Sequence, residues 1–394
     1  MALKNNGFAT NCIHAGEIAD QFGAPHTPAY DTTTFKFSST AGMVDVIEGR
    51  RPGCFYTRYG SNPSITSVEA KLASLEHAEN ALVFSSGMAA ISATLLAHGE
   101  HGIICLGEVY GGTWELMTRQ LPTLNRHTKF LKTNDIEGLR QHLAAGCSLV
   151  FFETPSNPLL EIIDISLICS LAHMYGAKVA IDSTFATPVN QQPLTLGADI
   201  VIHSATKYLG GHSDLTGGVV AAADDMLEPM RIWRKNLGQI LAPDSAHLLA
   251  RSLATLEVRV LRQNSTALHL ANVLQQNPLV QQVYYPGLES FIGHEIAKRQ
   301  MHGFGGMISI KVDGDGAAAT KMVDGLQLFT LAASLGGVES LVSQPALTSH
   351  RDLSPAMRQS RGITDNLIRL SIGLETPEDL ENDLIQSLYR GSRN

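Results

Sequence analysis

The chain has 394 residues, 44% of them hydrophobic and 17% charged against a usual charged share of about 25%; this supplies ample core, predicts surface hidden in subunit contacts and excludes disorder as the main state. Lys and Arg number 29 against 37 Asp and Glu, a formal net charge of −8, so no basic field draws in nucleic-acid phosphates or an anionic lipid surface. At about 100 to 200 residues per domain, the length predicts two or three domains.

Residues 1–58 are rich in Thr, Pro and Gly, as in Pro25-His-Thr-Pro-Ala-Tyr-Asp-Thr-Thr-Thr-Phe35, with little helical or strand periodicity, and read as an arm. From Asn62-Pro63 the pattern becomes helix, then short apolar strand: a helix near 63–77, a strand at 81–84, a helix near 87–97, and strands at 102–106, 148–153, 178–182 and 199–203. That alternation predicts an α/β fold, with a mostly parallel sheet sandwiched by helices over 59–250. Such sheets bind ligands beyond the carboxyl ends of their strands. A long amphipathic segment, His247 to Leu274, leads into further strands at Gly306–Val312 and Leu367–Gly373, which read as a smaller C-terminal α/β domain over 251–394. The five cysteines, Cys12, Cys54, Cys105, Cys147 and Cys169, are odd in number and contain no C-x-x-C pair, which predicts a reducing, cytoplasmic setting. The start lacks a charged region followed by an apolar core, and no apolar stretch reaches the roughly 18 residues that cross a bilayer, so neither export nor a membrane partner is expected.

The sharpest local signal is Asp199-Ile-Val-Ile-His-Ser-Ala-Thr-Lys-Tyr-Leu-Gly-Gly-His-Ser-Asp214, where an apolar strand runs into small hydroxyl residues, one lysine and two glycines. A lysine becomes a nucleophile near neutral pH only where burial or a cationic neighbour lowers its pKa from about 10.4. Lys207 therefore suits an imine-forming lysine; the alternative is a surface lysine after a strand. Ser204 and Thr206 are two apart, so on an extended chain their hydroxyls share one side, suited to phosphate oxygens. In Ala81-Leu-Val-Phe-Ser-Ser-Gly-Met-Ala-Ala90 a strand passes into a helix, aiming the free N–H groups around Ser86, Gly87 and Met88 at an anion; an ordinary capped helix is the alternative. Asp182 follows the strand Lys178-Val-Ala-Ile, where its carboxylate either holds a pyridine nitrogen protonated or caps the next turn. Lysine, phosphate cradle and Asp together form the set that pyridoxal 5′-phosphate demands. Near the C-terminus, Ile368, Leu370, Ile372 and Leu374 alternate with Arg369 and Ser371, which places that arginine on the opposite strand face, with a fork suited to a carboxylate. His14, His203 and His212 have no metal-ligand spacing, so no metal is assigned and they read as packing or hydrogen-bonding residues.

These segments resemble the pyridoxal-phosphate enzymes of cysteine and methionine metabolism: cystathionine γ-lyase, methionine γ-lyase, cystathionine γ-synthase and O-acetylhomoserine sulfhydrylase. The resemblance covers nearly the whole chain. It is carried by Tyr56-Thr-Arg58-Tyr-Gly-Ser-Asn-Pro63, Ser85-Ser-Gly-Met88, Tyr110-Gly-Gly-Thr113, Glu153-Thr-Pro-Ser-Asn-Pro158, Asp182, the Lys207 segment, Ser334-Leu-Gly-Gly337 and Arg369-Leu-Ser-Ile-Gly-Leu-Glu375. It implies fold type I of the pyridoxal-phosphate enzymes and a homotetramer built from two catalytic dimers, in which the arm completes the neighbouring subunit's site. By the resemblance, Lys207 binds the cofactor, Asp182 pairs with its ring nitrogen, and Ser86, Gly87, Met88, Ser204 and Thr206 hold its phosphate. Tyr56 and Arg58 reach a neighbouring subunit's phosphate, Tyr110 stacks on the ring and Thr184 lies beneath or beside it. Arg369, helped by Asn157 and Ser334, holds an amino acid's α-carboxylate. The freed Lys207 moves the Cα proton and Tyr110 serves as acid or base near Cγ, giving 2-oxobutyrate and ammonia by elimination, or γ-replacement.

Substrate choice is read from departures. Cystathionine γ-lyases carry Glu before Tyr-x-Arg and before Ser-Leu-Gly-Gly, where this chain has Phe55 and Ala333, an apolar pair that resembles a methionine pocket. Methionine γ-lyases carry Cys at the place of Gly112. Glu115, where several cystathionine-using relatives have Arg, favours a cationic leaving group such as that of canavanine if it lines the pocket; the alternative is an exposed helix-start Glu. The expected activity is that of a γ-lyase on a γ-substituted amino acid of the methionine or canavanine kind, with cystathionine γ-lyase, a γ-replacing synthase or a sulfhydrylase as alternatives.

Overall fold

A computed structural model describes residues 6–351 and 353–391, so the first five residues of the expected arm and the last three of the C-terminal unit lie outside the described residues. Twelve strands among these residues form two sheets. The first takes β1 (Asn80–Phe84), β2 (Ile103–Leu106), β3 (Thr128–Leu131), β4 (Leu149–Glu153), β5 (Lys178–Asp182), β6 (Ile200–Ser204) and β7 (Gly218–Ala222), in the order β1-β7-β6-β5-β4-β2-β3. Strands β3, β2, β4, β5 and β6 are parallel, and β7 runs antiparallel to both β1 and β6. The sheet is thus mostly parallel, as the helix–strand alternation predicts.

Both faces are covered, which explains the continuous apolar runs. On one face Leu82, Phe84, Phe151, Ala180 and Ile202 meet the helices Gly87–His98 and Asp224–Leu237. On the other, Val83, Val201, Val219 and Ala221 meet Pro63–Leu75 and Pro243–Leu253, while Val150, Phe152, Val179 and Ile181 meet Ile136–Ala144 and Ile165–Met174. The parallel register sets Glu153 beside Asp182 and Asp182 beside Ile202. Consequently the carboxyl ends of β4, β5 and β6 lie along one edge.

The second sheet takes β8 (Val280–Tyr284), β9 (Met307–Val312), β10 (Thr330–Leu331), β11 (Leu341–Ser343) and β12 (Leu367–Ser371), in the order β10-β11-β12-β9-β8. Ile308, Ile310, Ile368 and Leu370 pack against Leu270, Leu274, Met322 and Leu384 from three covering helices. The amphipathic stretch expected from His247 to Leu274 is two helices, Pro243–Leu253 and Leu256–Gln275; the first packs in the larger sheet's core, and the second starts there with Leu256 and Val260 and continues into the smaller sheet's core with Ala267, Leu270 and Leu274.

The N-terminal stretch is not free of helix, since Phe8–His14 and Thr40–Ile47 are helical; both are short, and the second buries no residue, so neither has a long apolar stripe to read. The buried Lys71 fastens this stretch to the helix Pro63–Leu75, donating to the carbonyls of Cys12 and Ile13 at 3.0 and 2.9 Å and pairing with Glu17 at 3.2 Å. No helix among the described residues is long and apolar enough to cross a membrane.

Candidate active site

The strand β1 delivers the chain through Ser85-Ser86 into the helix Gly87–His98. Ser86 is the N-cap, its hydroxyl accepting from Ala89 N at 3.1 Å. One first-turn donor is thereby satisfied, and the N–H groups of Gly87 and Met88 keep no intrahelical partner. Gly87 is required for close approach: a Cβ there would stand 2.8 Å from the Ser204 Cβ and 3.1 Å from its Cα. The helix N-terminus therefore abuts the end of β6, and cap hydroxyl, free amides and Ser204 form one small polar cradle of the kind a phosphate group occupies.

Thr206 does not extend that strand. β6 ends at Ser204 and the chain turns, so Thr206 bonds to Gly217, its Oγ1 accepting from that residue's N–H at 3.0 Å and donating to its carbonyl at 3.3 Å. Its hydroxyl therefore does not share a strand face with Ser204. The same turn carries Lys207, whose Nζ donates to Ser334 Oγ at 2.7 Å. Burial, with Arg369 nearby, lowers its pKa to about 8.

Arg369 is 7% exposed and does face away from the Ile368–Leu370 core. Its Nη1 donates to Asn157 Oδ1 at 2.9 Å and its Nη2 to the Ser334 carbonyl at 3.2 Å; two of the five guanidinium donors are used, and the rest are available to a carboxylate. Ser334 holds φ +88°, a left-handed conformation that non-glycine residues seldom adopt. It is held there by Ser371, which accepts from Gly336 N at 2.8 Å, and by Gln263, which donates to the Gly337 carbonyl at 2.8 Å.

Asp182, 9% exposed, does cap the next turn: its Oδ1 accepts the Thr184 N–H at 2.9 Å and the Thr184 hydroxyl at 2.5 Å. No donor among the described residues reaches Oδ2, so the capping role leaves one oxygen for a pyridinium N–H. Thr184 Oγ1 in turn accepts from Ser204 N at 2.8 Å, tying the carboxylate to the cradle. Burial pushes the Asp182 carboxyl up; that of Glu153 is pushed well up by burial and by Asp182. Glu153 Oε1 accepts from Tyr110 N at 2.7 Å. The Tyr110 ring lies over Gly112, where a Cβ would meet the ring at 2.7 Å and the Met88 sulfur at 3.3 Å; Tyr110 thus stands beside the cradle, half-exposed rather than in the core. An anion cradle, a carboxylate with one free oxygen, a lysine and an accessible ring fit pyridoxal phosphate.

Other expected residues stand apart. Tyr56 and Arg58 are exposed, with Arg58 over the Tyr56 and Tyr59 rings and donating to the Lys235 carbonyl at 3.0 Å; none of these contacts involves the cradle. Phe55 packs near Phe37 and Tyr59, and Ala333 is exposed beside Ser334. Glu115 is half-exposed and pairs with Arg119 one turn on, at 3.0 Å. His203 and His212 make hydrogen bonds, to Glu76 and the Gly210 carbonyl. Sequence reasoning missed the roles of Glu153 and of Ser349-His350. The Ser349 carbonyl lies 3.0 Å from the Cβ position of Gly111, and His350 is 4% exposed, its pKa lowered to about 4 by burial with Arg361, Arg369 and Arg358 around it. No periodicity marks that loop; only the fold brings it to Tyr110.

The family profile described as Cys/Met metabolism PLP-dependent enzyme matches residues 9–389. Cystathionine gamma-synthase 1, chloroplastic, of Nicotiana tabacum is 42% identical over 97% of this chain and 72% of that protein. L-methionine gamma-lyase of Fusobacterium nucleatum is 40% identical over 99% of this chain and 100% of that one. The crystal structure of cystathionine gamma-lyase from Lactobacillus plantarum complexed with L-serine superposes with a TM-score of 0.92 at 37% identity, covering 99% of this chain and 100% of that one. With residues 9–389 matched, the chain belongs to the pyridoxal-phosphate-dependent enzymes of Cys/Met metabolism.

Proposed function

We propose that the enzyme cleaves or replaces the γ-substituent of an L-amino acid of the methionine type, with simple elimination giving 2-oxobutyrate and ammonia. The observation that carries the reading is the shared residue Ser334: its hydroxyl accepts from Lys207 Nζ at 2.7 Å and its carbonyl from Arg369 at 3.2 Å. Amine and carboxylate clamp thus flank one residue, the spacing needed to grip an α-amino acid at two points. Pyridoxal phosphate, when bound, supplies the electron sink that makes the Cα proton removable.

The protein's own groups do the rest. Ser86, Gly87, Met88 and Ser204 hold the phosphate, Thr206 closes the turn behind it, and Asp182 Oδ2 pairs with the ring nitrogen. Arg369 and Asn157 orient the carboxylate, and Lys207, with its lowered pKa, moves the Cα proton. Tyr110, half-exposed beside Met88, handles the proton nearer Cγ. The Glu115–Arg119 pair leaves no lone negative charge, which with the apolar Phe55 and Ala333 favours an uncharged side chain over canavanine. Tyr56 and Arg58, remote from their own cradle, serve a second copy in a catalytic dimer, two of which form a tetramer. In this reading 1–58 is the arm, 59–250 binds the cofactor and 251–394 supplies Ser334 and Arg369; the helix break at Ala254-Thr255 falls beside that boundary.

Turnover of methionine, cystathionine, canavanine, O-acetylhomoserine and cysteine, with 2-oxo acid, homoserine and ammonia all measured, tests the reading. Methionine is expected to lead, and cystathionine as much the best substrate would overturn the apolar pocket. A second reading, γ-replacement as in a synthase or sulfhydrylase, is favoured by the 42% identity to the tobacco synthase. An added thiol that diverts 2-oxobutyrate into a thioether distinguishes it.

A further inference from the structure

Beyond β2 the chain turns at Gly107 and runs into Tyr110. Gly107 takes φ +76° and donates its N–H to the Leu131 carbonyl at 2.9 Å, Val109 is buried, and the Tyr110 N–H is held by Glu153 at 2.7 Å. Among these anchored residues stands Glu108, whose Oε2 accepts from Arg361 Nη1 at 2.9 Å across 253 residues of sequence. The two side chains are 23% and 24% exposed. Burial raises the Glu108 carboxyl, Arg361 opposes that, and Glu161 adds to it; the guanidinium is the group that lets this carboxylate stay charged.

Arg361 directly follows the short helix Pro355–Ser360 and is fixed from behind, because the buried Ile363 donates its N–H to the Arg358 carbonyl at 2.9 Å. The same segment meets the Tyr110 loop a second time, with the Ser349 carbonyl 3.0 Å from the Cβ position of Gly111. It then becomes β12 and delivers Arg369 to Asn157 and Ser334. Joining the regions of the two sheets does not depend on the pair: Ser309 Oγ donates to the Pro158 carbonyl at 2.7 Å, Asn264 to Asn190 at 2.6 Å, and Arg299 pairs with Asp164 at 2.8 Å. None of those three contacts touches the Tyr110 loop.

We propose that Glu108 and Arg361 are positioning residues that set the spacing between Tyr110 and the Arg369 carboxylate clamp, and thereby which carbon of a clamped amino acid the tyrosine hydroxyl reaches. The proposal deepens the function given above and rests on Tyr110 serving Cγ and Arg369 gripping the carboxylate. Neither residue touches substrate. A partly exposed ion pair adds little to stability, whereas a misplacement of about 1 Å at a reacting group costs about 100-fold in rate, so loss of the pair falls on the reaction.

The test reads the two ends of the reaction separately in the holoenzyme. Removal of the Cα proton is followed as deuterium entering Cα of L-norleucine, which has no group to lose at Cγ; the γ step is followed as release of the γ-substituent from the amino acid that leads the substrate panel. In Arg361→Gln the first is expected to stay within about twofold of wild type and the second to fall about tenfold in kcat, with one cofactor per chain retained. The exchange Glu108→Arg/Arg361→Glu, which turns the new cation toward Glu161, is expected to regain the γ step to within about threefold of wild type. A γ step unchanged in folded Arg361→Gln, both steps falling together as a general loss of structure would make them, or no recovery in the exchange variant overturns the proposal. Should Arg361→Gln fail to fold, Glu108→Gln decides by the same two readings, since the freed guanidinium can turn to water. Tyr110→Phe, run in parallel, keeps the claims apart: an unchanged γ step there removes the tyrosine's assignment, whereas a lost γ step there beside an unchanged one in Arg361→Gln overturns the pair alone.

Discussion

Lys207 combines two facts that fix its behaviour: its pKa sits near 8, and its nitrogen donates to Ser334 rather than to a carboxylate. Below that pH the folded protein holds an ammonium; above it, a free amine. The rate at which apoprotein captures pyridoxal phosphate, followed by absorbance, should therefore rise about tenfold per pH unit up to roughly pH 8 and then level. A flat profile between pH 6 and 8 would contradict the lowered pKa. Lys207→Ala should abolish the borohydride-trapped adduct altogether. Arg369 has a different part, because the guanidinium bonds to Asn157 and the Ser334 carbonyl and not to the cradle. Arg369→Ala should retain the yellow chromophore and raise KM by about 100-fold, about 3 kcal/mol of carboxylate binding.

Among the elements, the helix Gly87–His98 and β6 depend on each other through a glycine. Gly87→Ala places a methyl 2.8 Å from the Ser204 side chain, so it should cost about 1–3 kcal/mol by thermal unfolding and weaken cofactor uptake together with stability. The loop that carries His350 makes a different prediction. Its imidazole titrates at about 4 when folded against an ordinary 6.5, so the unfolded chain binds the extra proton first and stability falls as pH drops from about 6.5 to 4. The group's share is about 3 kcal/mol at most, and His350→Gln should flatten that part of the acid-unfolding curve. These elements differ in how far the sequence announced them. Strands β2, β4, β5 and β6, the Ser86 cap and the Arg369–Ser371 alternation were legible because each is a local pattern. The Thr206 turn was not, since spacing alone assumes the strand continues. β7, a five-residue run of Gly, Val and Ala, has too little character to announce an antiparallel insertion, and β3 is a half-exposed edge strand without alternation. Glu76–His203 and Ser349–Gly111 are meetings of distant segments, which no local pattern encodes.

At the scale of the whole molecule, the exposed pair Tyr56 and Arg58 gives the assembly a test of its own. Lys207→Ala and Arg58→Ala chains, each weak alone, should regain activity when co-refolded if the proposed catalytic dimer forms, because a mixed dimer would then carry one site with both residues intact; about a quarter of sites recover if the chains mix at random. No recovery in mixed dimers would place Arg58 in its own chain's chemistry or outside it entirely. The fastening of the N-terminal stretch by Lys71 has a further reach. Its ammonium is enclosed, and its partners among the described residues are the Glu17 carboxylate and the carbonyls of Cys12 and Ile13 at the end of the helix Phe8–His14. Trimming the protein past that point would strand a cation inside the helix layer, where an uncompensated charge is severely unfavourable. Residues 12–17 must then wait for a lysine made more than fifty residues later, so this stretch and the helix Pro63–Leu75 become ordered together.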